Sequence, residues 1–222
     1  AAERDHIGIF RQKQRGMNYV GLKVLVGRVK AADLRSIAAL AVRYGNGEVR
    51  LSPAQALVIP HISERLVGEL AEEPLAKQFA YNPSALYKGL VSCVGSDYCN
   101  LAVIETKSRA VETARVLERK LGDTLKPITL HWSGCPAGCG NHLVADIGLL
   151  GKKAKVGGKV VDAVDVFVGG RSGPDPKLAT KIMEDVPCDR LPAVLETIMP
   201  YHTREKMHRV RGTGLTPQPL PA

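Results

Sequence analysis

Ser133-Gly134-Cys135-Pro136-Ala137-Gly138-Cys139-Gly140 decides how this chain is read. Two cysteines stand four positions apart among three glycines and a proline. In one helical turn that spacing puts both sulfurs on one face, and Pro136, which lacks an N–H, suits the first position of such a turn. The glycines let the backbone approach a bulky group without Cβ clashes. A second pair lies upstream in Ser92-Cys93-Val94-Gly95-Ser96-Asp97-Tyr98-Cys99, a loop able to curl around the other side. Four thiolates in two close pairs can enclose one soft metal centre.

The spacing favours an iron–sulfur cluster. Zinc also takes four thiolates, but structural zinc prefers two to four residues between paired ligands, and Cys93 and Cys99 enclose five. Disulfides fit poorly with an odd count of 5 cysteines. Buried inert cysteines are common, yet two glycine-rich pairs match that pattern badly. Cys188, after Val186-Pro187, has no neighbour in sequence and reads as an ordinary buried thiol.

Working outward, Ile128–Trp132 alternates as a strand feeding the second pair, and Gly89–Val91 is a short strand before the first. Between them, Thr106–Leu121 reads as a helix closed by Gly122. Leu143–Leu150 is a further strand. Lys152–Val156 and Lys159–Val168 flank Gly157-Gly158, a two-residue hairpin signal. Helices are predicted near Lys177–Met183 and over Leu191–Tyr201. Upstream, residues 18–26 read as a buried strand. In Ala32–Tyr44 the residues Leu34, Ile37, Ala38, Ala41 and Tyr44 share a helical face, stopped by Gly45. Glu48–Leu51 and Ala56–Ile59 are short strands around Ser52-Pro53, and Ser63 caps a short helix to about Leu70. The order β-α-β-β-α opens a ferredoxin-like α+β sandwich. Glu72-Glu73-Pro74 reads as a boundary, giving a first domain over 1–75, a second over 76–205, and a loose tail over 206–222.

The 222 residues are 45% hydrophobic and 24% charged, ordinary for a globular protein, and no apolar run approaches a membrane span. The polar start, Ala1 to Phe10, is not a signal peptide, and its lack of Met fits processing or excision from a longer chain. Free thiols point to a reducing compartment, the cytoplasm or, in a plant or alga, the plastid stroma. The net charge of +9 attracts an acidic protein or a cofactor with many carboxylates. No basic block with interleaved aromatics marks a nucleic-acid surface.

The residues also carry a family resemblance. Cys93-x5-Cys99, then Ser133-Gly-Cys135-x3-Cys139, then Asp146-Ile-Gly-Leu149 resembles the sirohaem and iron–sulfur signature of the nitrite and sulfite reductases. Gln12 to Leu22, Gly27-Arg28 and Gly47 to Leu51 resemble that family's ferredoxin-like half-domain. Val144 to Gly148, Val164 to Arg171 and Val186-Pro-Cys-Asp189 look most like the ferredoxin-dependent nitrite reductases. The similarity runs from about Arg4 to Arg204.

The resemblance implies a ferredoxin-like half-domain followed by an α/β domain for sirohaem and a [4Fe-4S] cluster. Cys93, Cys99, Cys135 and Cys139 would ligate the cluster, and Cys139 would also be the axial ligand bridging it to the sirohaem iron. The implied reaction is six-electron reduction of nitrite to ammonium with electrons from reduced ferredoxin. Alternatives are reduction of sulfite to sulfide, or an electron-transfer module without its own catalysis. Two departures stand out. The family joins two such halves in one longer chain, and this sequence resembles the second. The family's substrate-gripping Thr-x-Arg-Gln is matched here by Ser52-Pro53-Ala54-Gln55, with Ala54 in the arginine's place. Its anion-binding lysines have no clear match, so the grip is expected either from a first-half chain as partner or, if this sequence is a fragment, from the rest of a longer chain.

Around the motif, Arg171 follows Gly169-Gly170 and is a candidate for a sirohaem carboxylate, whereas Lys152, Lys153 and Lys155 read as a solvated strand face. His131 and His142 read as hydrogen-bonded structural residues, and Asp146 as one that orients backbone or groups around the ligands.

Overall fold

The structure, a computed structural model, describes residues 6–173 and 175–212, with only the backbone course given for 123 and 202–212. The part of the predicted tail from 213 to 222 lies outside the described residues.

The first unit runs β1 (Gly8–Arg11), β2 (Met17–Lys23), α1 (Ala31–Tyr44), β3 (Arg50–Ser52), β4 (Ala56–Ser63), α2 (Val67–Glu72) and α3 (Pro74–Gln78). Its antiparallel sheet has the order β1-β2-β4-β3. Helix α1 lays Ile37, Leu40, Ala41 and Tyr44 on Val20, Leu22, Leu57, Ile59 and Ile62. Each such aliphatic side chain contributes about 1.5–3 kcal/mol by leaving water. Gly45 closes α1, its N–H returning to the Ala41 carbonyl at 3.0 Å, and a Cβ there would lie 2.5 Å from the Pro60 carbonyl oxygen.

Three expectations change here. β1 was not foreseen; it pairs with β2 as an edge strand. The strand expected over 18–26 stops at Lys23, because the Val24 N–H turns to the Gln55 carbonyl at 3.0 Å and Val26 adopts φ 51°. The resulting 3-10 turn, Leu25–Gly27, carries the chain toward the second unit. Ser63 makes no side-chain cap; it closes β4, which runs four residues beyond Ile59.

The second unit runs α4 (Ala85–Gly89), β5 (Leu90–Ser92), α5 (Lys107–Leu121), β6 (Leu130–Ser133), β7 (Ile147–Val156), β8 (Lys159–Val168), β9 (Thr180–Pro187) and α6 (Leu191–Gly212). The sheet order is β5-β6-β7-β8-β9, with the first three parallel and the last three antiparallel. Leu130, Trp132, Ile147, Leu149, Val164 and Val166 form one core with Ala110, Ala114 and Leu117 of α5 and Leu191, Leu195 and Met199 of α6. Gly157 and Gly158 take φ 56° and 82°, the pair of positive values a tight hairpin turn requires. Leu143–Leu150 is not one strand: His142–Val144 is a 3-10 turn, and β7 starts at Ile147 and continues through Val156.

The helix expected near Lys177–Met183 is overturned. That segment enters β9, which pairs with β8 through two register shifts. Its apolar residues Leu178, Ile182 and Met183 are largely exposed, so their helical spacing marks no buried face. The ladder of β8 supplies what the local pattern lacks. Helix α6 continues past Pro200 to Gly212, beyond the expected end at Tyr201.

One consequence of the topology positions the site. β5 and β6 are parallel, with Ser92 opposite Trp132. Both cysteine loops therefore leave the same carboxyl edge of the sheet, the usual ligand-binding edge of parallel strands.

Candidate metal centre

The first loop begins at Cys93, whose N–H still bonds the Trp132 carbonyl at 3.0 Å. Gly95 then reverses the chain at φ 69°, and its carbonyl accepts the Cys99 N–H at 3.0 Å. A Cβ at Gly95 would lie 2.7 Å from the Thr106 nitrogen, so glycine also lets the loop press on the start of α5.

The second loop departs from the helical turn expected for Cys135 and Cys139. It consists of two successive tight turns, closed by Gly138 N–H to Cys135 O at 3.2 Å and Asn141 N–H to Gly138 O at 2.8 Å. Gly138, at φ 72°, breaks the right-handed course between them. Pro136 and Gly138 occupy the second and fourth positions of the first turn, where those residues are favoured.

The two loops are tied together. Gly134 donates its N–H to the Cys93 sulfur at 3.1 Å, and its carbonyl accepts the Val103 N–H at 2.8 Å. A Cβ at Gly134 would meet Ile104 O, Thr106 Cγ2 and Ala102 Cβ at 3.2–3.3 Å. The Thr106 hydroxyl bonds the Cys93 carbonyl at 2.9 Å and lies 3.7 Å from its sulfur.

Cys93, Cys99 and Cys135 are partly buried, Cys139 is exposed, and all are free thiols. Among the described residues no three His, Cys, Asp or Glu side chains gather closely enough to hold one metal ion. A four-iron cluster instead takes its four thiolates around a larger body. The donor set, four soft sulfurs on two linked glycine-rich loops at one sheet edge, fits such a cluster in chemistry. Cys188 lies elsewhere, buried at the β9–α6 junction, where burial pushes its thiol up to about 11.

The other residues singled out in the sequence take definite partners. His131 Nδ1 contacts the Asn141 carbonyl at 3.2 Å, and His142 Nδ1 contacts the Ser133 hydroxyl at 3.0 Å. Burial holds both imidazoles below their ordinary value. Both pin the second loop back over the sheet, a structural role. Asp146 accepts the Thr129 N–H at 2.8 Å and its hydroxyl at 2.9 Å, aligning the starts of β6 and β7 at the edge opposite the cysteines. It orients backbone, not the ligands. Arg171 donates Nε–H to the Asp175 carbonyl at 2.6 Å and also engages the Asp175 carboxylate. Lys152 pairs with Asp165 at 3.2 Å and Asp185 at 2.8 Å, and Lys153 pairs with Asp162, so these two lysines, on a solvent-facing stretch of β7, also tie neighbouring strands together. Ala54 lies in the β3–β4 turn, where its carbonyl accepts the Lys23 ammonium at 2.7 Å.

Four residues of the first-loop surroundings escaped the sequence reading as site residues. Lys23 and Gln55 bond the open edge of β5, through Leu90 and Ser92. Lys107, buried in α5, donates to the Val26 carbonyl; burial and then Arg28 lower its pKa. Arg28 meets Asp97 of the first loop at 3.0 Å and Glu105 at 3.8 Å. The Gly27-Arg28 pair was the one local signal; the other contacts join residues dozens of positions apart.

Fold and thiol set together define a protein that presents four free cysteines on two linked loops at the carboxyl edge of a mixed sheet. Comparisons with known proteins take this further. The nitrite/sulfite reductase ferredoxin-like half domain matches residues 10–77, and the nitrite and sulphite reductase 4Fe-4S domain matches residues 88–213. The chain belongs to the nitrite and sulfite reductase family. It is 47% identical over 197 residues to ferredoxin–nitrite reductase of Synechococcus elongatus, covering 89% of this chain and 38% of that protein. It is also 47% identical over 197 residues to the chloroplastic ferredoxin–nitrite reductase of Oryza sativa, covering 88% and 33%. The solved NirA protein of Mycobacterium tuberculosis superposes with a TM-score of 0.80 at 32% identity, covering 88% of this chain and 37% of that one. The chain thus spans between a third and two fifths of the length of these relatives.

Proposed function

We propose that this chain is the cofactor-bearing half of a ferredoxin-dependent nitrite reductase, which reduces nitrite to ammonium with six electrons. The observation that carries the reading is the pair of linked cysteine loops, Cys93/Cys99 and Cys135/Cys139, in a chain 47% identical to two ferredoxin–nitrite reductases. In this reading residues 1–75 are the half-domain and 76–205 the cofactor domain. The four cysteines would hold a [4Fe-4S] cluster, and Cys139, the exposed one, would also contact the sirohaem. When bound, that pair supplies one-electron transfer to the substrate. Arg171 is the residue proposed to take a sirohaem carboxylate in exchange for that of Asp175. The net charge of +9 favours encounter with an acidic ferredoxin. No helix among the described residues is long and apolar enough to cross a membrane.

Ala54 brings neither charge nor side-chain donor to the turn that resembles the family's anion grip. In this reading the cations that hold nitrite come from a first half, whether a separate chain or part of a longer one. The test is anaerobic reconstitution followed by nitrite and sulfite reduction with a chemical reductant, with and without a candidate first half. A haem band in the red region and poor nitrite turnover, raised by about 10²–10³ on adding the first half, are expected. A rate unchanged by the first half, or turnover of sulfite alone, overturns the reading.

A further inference from the structure

We propose that Lys23 and Gln55 are the positioning residues for Cys93: two side chains from the first unit stand in for a missing strand beside β5. β5 is the edge of its sheet and only three residues long. The Cys93 N–H points inward, to Trp132 of β6. The alternation of the ladder turns the Ser92 N–H and carbonyl, and the Leu90 carbonyl, to the open edge. There the Gln55 side chain accepts the Ser92 N–H at 3.2 Å and donates to the Ser92 carbonyl at 2.6 Å. A primary amide has a donor and an acceptor side by side, as a neighbouring strand would present them. Lys23 Nζ takes the Leu90 carbonyl at 2.8 Å and the Ala54 carbonyl at 2.7 Å.

The surroundings serve this aim. Gln55 holds φ 57°, a strained value for a side chain of its size. Gly27 leaves the room: a Cβ there would lie 3.2 Å from the Gln55 amide nitrogen. Ser92 is 1% exposed and Lys23 4% exposed, so water cannot replace either bond. The residue so fixed directly precedes Cys93, whose sulfur must stay within reach of the Gly134 N–H. Ala54 and Gln55 thus divide the turn: the position resembling the anion grip is blank, and its neighbour holds the cluster strand.

This inference rests on the proposed cluster, so the experiment separates the two. The full chain and its Gln55→Ala, Gln55→Glu and Ile37→Val variants are compared. Ile37→Val loosens the core of the same unit without touching β5. Amide hydrogen exchange on the metal-free chain reads the Ser92 N–H directly. Iron loss to a ferrous chelator after reconstitution with iron and sulfide reads the effect on the cluster. Gln55→Ala is expected to raise exchange at Ser92 and to speed iron loss, each by about tenfold. Gln55→Glu keeps the acceptor but loses the donor; Ser92 stays protected while iron loss quickens. That split is not a signature of general destabilisation, and the glutamate variant carries the test should the alanine variant fail to fold. Wild-type exchange and iron retention in Gln55→Ala, or equally fast iron loss in Ile37→Val, overturns the proposal. A wild-type chain that assembles no cluster refutes the cluster reading instead, and Ser92 exchange still decides the clasp.

Discussion

Replacing Gly140 by alanine should dismantle the second cysteine loop. An ideal Cβ at this position lies 2.0 Å from the Trp132 carbonyl oxygen, 2.6 Å from its carbon and 3.0 Å from the Ser133 hydroxyl. The first contact is about 1.5 Å short of an unstrained separation. Its partner is backbone and cannot swing aside. Trp132 cannot retreat either, because its side chain is wholly buried and its carbonyl receives the Cys93 N–H. The loop must lift instead, breaking the 3.1 Å bond from the Gly140 N–H to Ser133. Overpacking costs about 1–3 kcal/mol, and the lost buried hydrogen bond adds about 1 kcal/mol. A destabilisation of about 2–4 kcal/mol follows, read from the urea midpoint of the metal-free chain. Iron content after reconstitution should fall with it, since Cys139 is the adjacent residue. Gly138→Ala is the internal comparison. Its nearest foreign atom is 3.6 Å away, so only the φ of 72° opposes a side chain, at about 1–2 kcal/mol. A Gly140→Ala chain that melts within about 0.5 kcal/mol of wild type and binds iron normally would refute the close-approach argument.

Cys139→Ser is expected to lose sirohaem as well as cluster iron, while Cys188→Ser keeps both, because that thiol is buried in the core away from the loops; equal cofactor loss in the two variants contradicts the assignment. Burial works against ionisation of Asp165, but the Asp185 N–H at 3.2 Å, Lys152 and Lys181 outweigh it and hold its carboxyl below the ordinary value. Its folded value lies below the unfolded one, so its stabilisation is present above about pH 4 and is lost as pH falls through the depressed value. Thermal melts of Asp165→Asn should therefore show a flatter acid limb than wild type. For the half-buried His131 and the buried His142 the unfolded chain takes up protons first, so stability should decline as pH drops below about 6.5, visible in melts across that range. Arg28→Ala releases Asp97 and Glu105 at a partly exposed site, costing at most about 1 kcal/mol overall. Its effect should appear as faster proteolysis within the first cysteine loop of the metal-free chain, and an unchanged cleavage rate contradicts the restraint.

Local chemistry made much of this molecule legible before its structure. The spans of α1 and α5, the stop at Gly45 and the Gly157-Gly158 hairpin each depend on residues within one or two turns of one another, though of the face expected for α1 only Ile37, Ala41 and Tyr44 are buried, Leu40 joins them, and Leu34 and Ala38 are exposed. The cysteine pairs were legible for the same reason: five and three intervening residues keep each pair together whatever the rest of the chain does. Turn details were weaker, since helical and non-helical turns both bring positions four apart into proximity, and only Gly138 at φ 72° chose between them. What tertiary structure alone decided was non-local. The segment near Lys177–Met183 became strand because β8 stood ready to pair with it. Lys152 found Asp165 and Asp185 across two neighbouring strands. The Gly134 N–H reached the Cys93 sulfur across 41 positions, and Gln55 reached Ser92 across 37. Such contacts require loop closure that no local pattern encodes. Spacing assembled each thiol pair, and the parallel pairing of β5 with β6 brought the two pairs to one edge.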